Sequence, residues 1–198
     1  MKTLKQCRSY KGKRVLVRVD FNVPHDQGVI LDDTKITESL PTLEYLRAKG
    51  AKLILVSHLS NPHDSLESIA RRLERLLQTP VDFCTAVVGS KVHKTVDAMR
   101  NGDVVLLENI RHDPREEIND KGFAQELAAL ADIYVNEAFA VCHRAHASVV
   151  GVPKLLPSYA GLLLAQEIKV LEWVMKKPKH PLVLLLGGAK IHTKISIL

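Results

Sequence analysis

Residues that can hold a small anion recur in this sequence at one kind of place, directly after short apolar runs. Asp20 and Asn22 follow Val15–Val19, two positions apart and therefore on the same side of an extended chain. Ser57 and His58 follow Leu53–Val56, and Glu108, Asn109 and Arg111 follow Val104–Leu107. Asn136 and Glu137 follow Ile133–Val135, with His143–Arg144–Ala145–His146 a few residues on. Gly187, Gly188 and Lys190 follow Leu182–Leu186. Hydrogen-bonding groups mixed with several cations suit a phosphorylated or carboxylated small molecule.

Taken singly, each group also reads as an ordinary solvated loop. Asn22-Val-Pro24 is compatible with a plain turn, and His143 and His146 have metal-ligand spacing without a third ligand, so no metal site is expected. Gly187-Gly188-Ala-Lys190 offers backbone N–H groups to a phosphate but lacks the spacing G-x-x-x-x-G-K-[ST]. Their joint occurrence after strands is what favours a ligand site.

The elements that must position these groups follow from periodicity. The five runs above and Val81–Phe83 are short, apolar and rich in β-branched residues. Between them Ile36-x-x-x-Leu40-x-x-Leu43-x-x-Leu46, Leu66-x-x-Ile69-x-x-x-Leu73-x-x-Leu76-Leu77 and Phe123-x-x-Glu-Leu127-x-x-Leu130 repeat every three or four residues, as helices do. Gly50 is placed to end the first helix in the left-handed conformation, and Asp64 or Ser65 to cap the second. Tyr159–Val174 reads as one long helix, stopped by Pro178 and Pro181, with a fresh strand at Leu182–Leu186. Strands alternating with helices give a three-layer, Rossmann-like α/β domain with a mostly parallel sheet and right-handed crossovers. In such sheets ligands bind beyond the carboxyl ends of the strands, where the polar groups collect. The expected organisation is a domain over residues 1–155, an interdomain helix and linker over 156–180, and the truncated start of a second α/β domain over 181–198.

Composition narrows the alternatives. The 198 residues are 46% hydrophobic and 25% charged, a globular balance, and no apolar run approaches the ~20 residues that span a bilayer. Three widely spaced cysteines, Cys7, Cys84 and Cys142, form no Cys-x-x-Cys pair, which fits the reducing cytoplasm and no structural zinc. The formal charge of +6 invites a nucleic-acid reading, but four Phe, four Tyr and one Trp are not interleaved with basic runs. A small anionic substrate is the expected partner, with no nucleic acid and no membrane.

Seven blocks then carry a resemblance: Arg18-Val-Asp-Phe-Asn-Val-Pro24, Asp33-Thr-Lys-Ile36, Ser57-His-Leu59, Leu107-Glu-Asn-Ile-Arg111, Tyr134-Val-Asn-Glu-Ala-Phe139, His143-Arg-Ala-His-Ala-Ser148 and Gly187-Gly-Ala-Lys190. In order and content they resemble the amino-terminal half of the phosphoglycerate kinases. The resemblance implies a domain that binds 3-phosphoglycerate, facing a domain that binds Mg-ATP or Mg-ADP, with phosphoryl transfer to or from the glycerate carboxylate when the two close. By position it implies Asp20 and Asn22 on the glycerate, and His58, Asn61, Arg111 and Arg144 at the phosphate patch. It further implies Lys35 at the transferring group, and Lys190 with Lys194 as catalytic and nucleotide-contacting lysines. The nucleotide domain's own motifs are not found in this chain.

The chain departs from the family pattern at three places. Lys35 and Asn61 stand where arginine is usual, and Glu137 and Ala140 where Asp and Gly are usual. Lysine keeps the charge but loses the planar fork that grips two oxygens, and each lost charged hydrogen bond is worth about 1.5–3 kcal/mol. Two readings remain open at this level: a kinase fragment that binds the glycerate phosphate weakly, and a diverged binding or interaction module without catalysis. Apolar surface on Tyr159–Val174 and Leu182–Leu186 adds an expectation of self-association.

Overall fold

The computed structural model describes residues 2–26, 28–183 and 185. The apolar runs become strands because both faces of each are covered. In β1 (Arg14–Arg18) Val15 and Val17 turn to one side and Leu16 to the other, and all three are fully buried. A short antiparallel hairpin follows, β2 (His25–Asp26) and β3 (Val29–Ile30), then α1 (Thr34–Ala48) and β4 (Lys52–Val56). Next come α2 (Glu67–Leu77), β5 (Val81–Cys84), α3 (Ser90–Asp97) and β6 (Val104–Leu107). The order ends with α4 (Lys121–Ala129), β7 (Ile133–Asn136), β8 (Ser158–Ala160) and α5 (Leu162–Lys176).

Six strands form one sheet in the order β5-β6-β4-β1-β7-β8, every neighbouring pair parallel. Val15, central in the sheet, lies opposite Leu53 on one side and Ile133 on the other. Period-two alternation divides the core into two halves. Val15, Val17, Leu53 and Leu55 pack with Ile36, Leu43 and Leu46 of α1 and Ile69 and Leu73 of α2. Leu16, Ile54, Val105 and Leu107 pack with Val92 and Val96 of α3 and Phe123 and Leu127 of α4. The three layers are those the sequence predicts, and Gly50 ends α1 at φ +74° as expected.

Several local expectations need correction. Neither Asp64 nor Ser65 is the N-cap of α2; Leu66 holds that place, and the buried Glu108 from beyond β6 accepts its N–H at 2.9 Å and the Ser65 hydroxyl at 2.8 Å. The Ser65 hydroxyl still accepts the Glu67 N–H at 3.2 Å, one residue outside the N-cap, so a long-range carboxylate supplements the local cap. Tyr159–Val174 is not one helix: Ser158–Ala160 pairs with Tyr134–Asn136 as an edge strand, and the helix begins only at Leu162. The hairpin and α3 carry too few apolar positions to announce themselves; α3 buries only Val92 and Val96. Of the expected strand Leu182–Leu186, the described residues Leu182, Val183 and Leu185 are in no strand and are exposed, while Leu184 and Leu186 lie outside the described residues.

Residues 1–167 form one compact unit, and residues 168–198 a second. Within the second, Val170, Leu171, Trp173 and Met175 are exposed. No described helix is long and apolar enough to cross a membrane.

Candidate anion-binding site

The carboxyl ends of β1, β4, β6 and β7 deliver the residues singled out above to one rim. Their loops are tied to one another before any ligand arrives. The Phe21 N–H, beyond β1, donates to the buried Ser57 hydroxyl beyond β4 at 2.8 Å. The fully buried Asn109, beyond β6, accepts from Leu59 N–H at 3.2 Å and donates to the carbonyls of Asn61 and Asp64 at 3.2 and 3.0 Å. Asn22 accepts the backbone N–H and hydroxyl of Ser60 at 2.9 and 3.1 Å through its side-chain oxygen, which leaves the amide N–H₂ without a described partner.

Lys35, in the first turn of α1, donates to Asp20 Oδ2 at 3.0 Å and to the Asn22 carbonyl at 3.1 Å. Two of its three N–H bonds are thus directed at the β1 loop and the third is available. Arg111 donates through Nη1 to the Leu59 carbonyl at 3.2 Å. Its Nε lies 3.1 Å from Glu117 Oε1 but off the hydrogen-bond direction, so that a buried N–H remains unmet. Among the described residues Arg144 makes no ion pair; its one side-chain hydrogen bond is a long one, 3.5 Å from Nε to His143 Nε2.

His58 shows that these charges converge. It is 3% exposed, and burial together with the fields of Arg18, Arg111, Arg144 and Lys35 lowers its pKa to about 2. The ring is neutral, set among cations carried by β1, the loops after β6 and β7, and α1. A neutral histidine under four positive side chains describes a place prepared for negative charge.

Asp20, Asn22, Lys35, His58, Arg111 and Arg144 therefore belong to one rim. Asn61 stands apart: it is exposed, its amide donates to Asp64 Oδ1 at 2.7 Å and its oxygen accepts the His63 N–H at 3.1 Å, so its side chain closes its own turn. Lys190 and Lys194, like Gly187 and Gly188, lie outside the described residues. His143 and His146 acquire no third ligand; no group of three or more His, Cys, Asp or Glu among the described residues is arranged to hold a metal ion.

Sequence reasoning passed over Arg18, which is 1% exposed and sits at the end of β1. Its signal was present, an arginine inside the apolar run Val15–Val19. A charge in a strand buried on both faces requires partners. Its side-chain partners, His58 and Ser148, and Glu116 behind Ser148, are far apart along the chain and leave no pattern in the sequence. A cavity of about 290 Å³ adjoins the rim, bounded by Asp20, Lys35, Glu38, Glu137, Phe139 and Glu167. A larger one of about 540 Å³, between β3 and α2, lies away from these cations, and its Arg72 is already paired with Asp33 at 2.6 Å.

Fold and rim together define a three-layer α/β domain with a cluster of cationic side chains at the carboxyl edge of a parallel sheet. The sequence profile of the phosphoglycerate kinases matches residues 4–198, and the chain belongs to that family. It is 50% identical to the phosphoglycerate kinase of Dictyoglomus turgidum over 95% of its own length and 49% of that protein's. With the phosphoglycerate kinase of Borreliella afzelii it shares 47% identity over 100% of its length and 52% of the relative's. The crystal structure of phosphoglycerate kinase from Pyrococcus horikoshii OT3 superposes with a TM-score of 0.91 at 30% identity, covering 97% of this chain and 50% of that one. For the enzyme from Coxiella burnetii the TM-score is 0.83 at 33% identity, with 98% and 50% covered. The chain spans about half the length of the curated relatives it matches.

Proposed function

We propose that this chain is the 3-phosphoglycerate-binding half of a glycolytic phosphoglycerate kinase. The whole reaction moves a phosphoryl group reversibly between 1,3-bisphosphoglycerate and ADP, giving 3-phosphoglycerate and ATP. The observation that carries the reading is the convergence of Arg18, Lys35, Arg111 and Arg144 about a neutral His58. Arg144, which makes no ion pair among the described residues, and Arg111 beside it in the field about His58 take the substrate phosphate. The free amide of Asn22 and the carboxylate of Asp20 orient the glycerate, and the remaining N–H of Lys35 is the donor assigned to the group that is exchanged. Such chemistry depends on positioning and charge neutralisation, which these residues supply for one of the two substrates. Mg-ATP or Mg-ADP is the second substrate implied by the family; among the described residues no group of three or more His, Cys, Asp or Glu is arranged to hold the metal.

Calorimetry of the chain with 3-phosphoglycerate tests the reading. Weak binding is expected that falls with rising salt, drops about tenfold or more in Arg144→Ala, and is absent for glycerate lacking the phosphate. No heat at millimolar ligand would overturn it. The closed turn of Asn61 favours a second reading, a binding module that no longer catalyses. Under either reading the chain by itself is expected to give no turnover with 3-phosphoglycerate and Mg-ATP in a coupled assay.

A further inference from the structure

We propose that Glu116 is a positioning residue for the anion rim: through the Ser148 hydroxyl it holds Arg18, and Arg18 holds the His58 ring with its proton on Nε2. The inference rests on the reading of the rim as a phosphate site and adds how that site is kept in order.

Glu116 lies in the loop between β6 and α4 and is fully buried. Its Oε1 accepts the Ser148 hydroxyl at 2.5 Å and its Oε2 the Ser148 N–H at 2.9 Å. The Ser148 oxygen in turn accepts Arg18 Nε–H at 3.0 Å. One hydroxyl, with one proton to give and lone pairs to receive, thus stands between a buried carboxylate and a buried guanidinium. Arg18 has no direct carboxylate partner among the described residues; Glu116 is the foremost of the charges that oppose the cost of burying it. His146 Nδ1 lies 3.8 Å from Glu116 Oε1.

The other end of the guanidinium decides the histidine. Arg18 Nη1 donates to the Val19 carbonyl at 2.6 Å, and Nη2 lies 3.2 Å from His58 Nδ1. Arginine has no acceptor and keeps its proton, so Nδ1 must be the acceptor and the ring proton sits on Nε2. No described residue takes Nε2, which leaves that N–H as the ring's one free donor. The charged groups facing the ring are Arg18 from β1, Arg111 from the loop after β6, Arg144 from the loop after β7 and Lys35 from α1, all positive. An arginine free to swing would let His58 turn over and present an acceptor lone pair to the anion instead. Removing that freedom is the role assigned to Glu116 and Ser148.

The experiment reads the ring and the guanidinium directly, without ligand, by ¹⁵N NMR of the chain labelled at histidine and arginine, His58 being identified by the signals lost in His58→Gln. The expected wild-type spectrum has an unprotonated Nδ1, a protonated Nε2 and a slowly exchanging Arg18 Nε–H. In Ser148→Ala the Arg18 proton should exchange at least about tenfold faster, because the acceptor of its Nε–H is gone. Ser148→Thr keeps the hydroxyl and should match wild type, and Glu116→Gln should speed the Arg18 exchange in the same way. A wild-type proton on Nδ1 overturns the proposal, as does an Arg18 signal unchanged in both Ser148→Ala and Glu116→Gln. If Ser148→Ala does not fold, the Glu116→Gln spectrum and the wild-type tautomer decide. A parallel titration of wild type with 3-phosphoglycerate separates the two readings: failure to bind removes the substrate assignment and leaves the NMR outcome standing.

Discussion

Replacing Glu137 by glutamine should stabilise the chain at neutral pH and leave it almost unchanged in mild acid. Glu137 follows β7 and is 2% exposed; the Leu163 N–H donates to its Oε1 at 3.2 Å, and its Oε2 has no hydrogen-bond partner. Burial raises its pKa from 4.5 to about 7, against the pull of the Thr42 hydroxyl and the amides of Leu163 and Leu164. Below pH 4.5 the carboxyl is protonated in both folded and unfolded chains, and its full contribution to stability is present. Between 4.5 and about 7 the unfolded chain releases a proton that the folded chain keeps, so stability is lost as pH rises and levels off above 7. The loss amounts to about 3 kcal/mol by linkage. Glutamine has the same shape and does not titrate, and its amide meets the same unpartnered space as the protonated acid. The advantage of Glu137→Gln over wild type should therefore grow from under about 1 kcal/mol at pH 5 to about 3 kcal/mol at pH 8, or about 6–12 °C in Tm.

The difference between the two proteins is the quantity to measure, by urea unfolding at matched pH. His58 slopes the other way in both: its pKa falls from 6.5 to about 2 on folding, so its contribution is lost as pH drops below 6.5. Subtracting the curves cancels it. A difference that stays flat within about 0.5 kcal/mol from pH 5 to 8 would refute the argument that Glu137 is held protonated by burial.

Two further outcomes are expected. Asn61→Arg, which opens the Asn61–Asp64 contact and returns a cation to the loop beside Arg111, should tighten 3-phosphoglycerate binding roughly tenfold by calorimetry; no change would place position 61 outside the phosphate patch. Gly161→Ala sets a methyl group onto the present position of the Glu137 carboxylate and should destabilise by about 1–3 kcal/mol, while the shorter side chain in Glu137→Asp/Gly161→Ala should recover most of the loss in a double-mutant cycle.

The layers of this fold were legible because period-two and period-three-to-four patterns report burial, and burial is what the sheet and its main helices satisfy. Val15, Leu16 and Val17 fix β1 by composition alone, and Ile36, Leu43 and Leu46 fix the buried face of α1. The rim was legible in part for a related reason. Polar residues gather where apolar strands end, so Asp20, His58, Arg111 and Arg144 could be named from position in the chain. What the sequence does not contain is distance. That Arg18 meets His58 across 40 positions and Ser148 across 130, or that Glu108 caps α2 from 42 positions away, depends on which strands lie side by side. Strand order β5-β6-β4-β1-β7-β8 is a property of the packed sheet. The same holds for Asn61, which stands at a phosphate-patch position of the family pattern and whose side chain the local turn claims, and for Glu137, an ordinary carboxylate until β8 and the start of α5 close over it. Burial patterns are written one residue at a time and can be read along the chain. The partners that make a buried charge tolerable are chosen by tertiary contact, and only the folded structure names them.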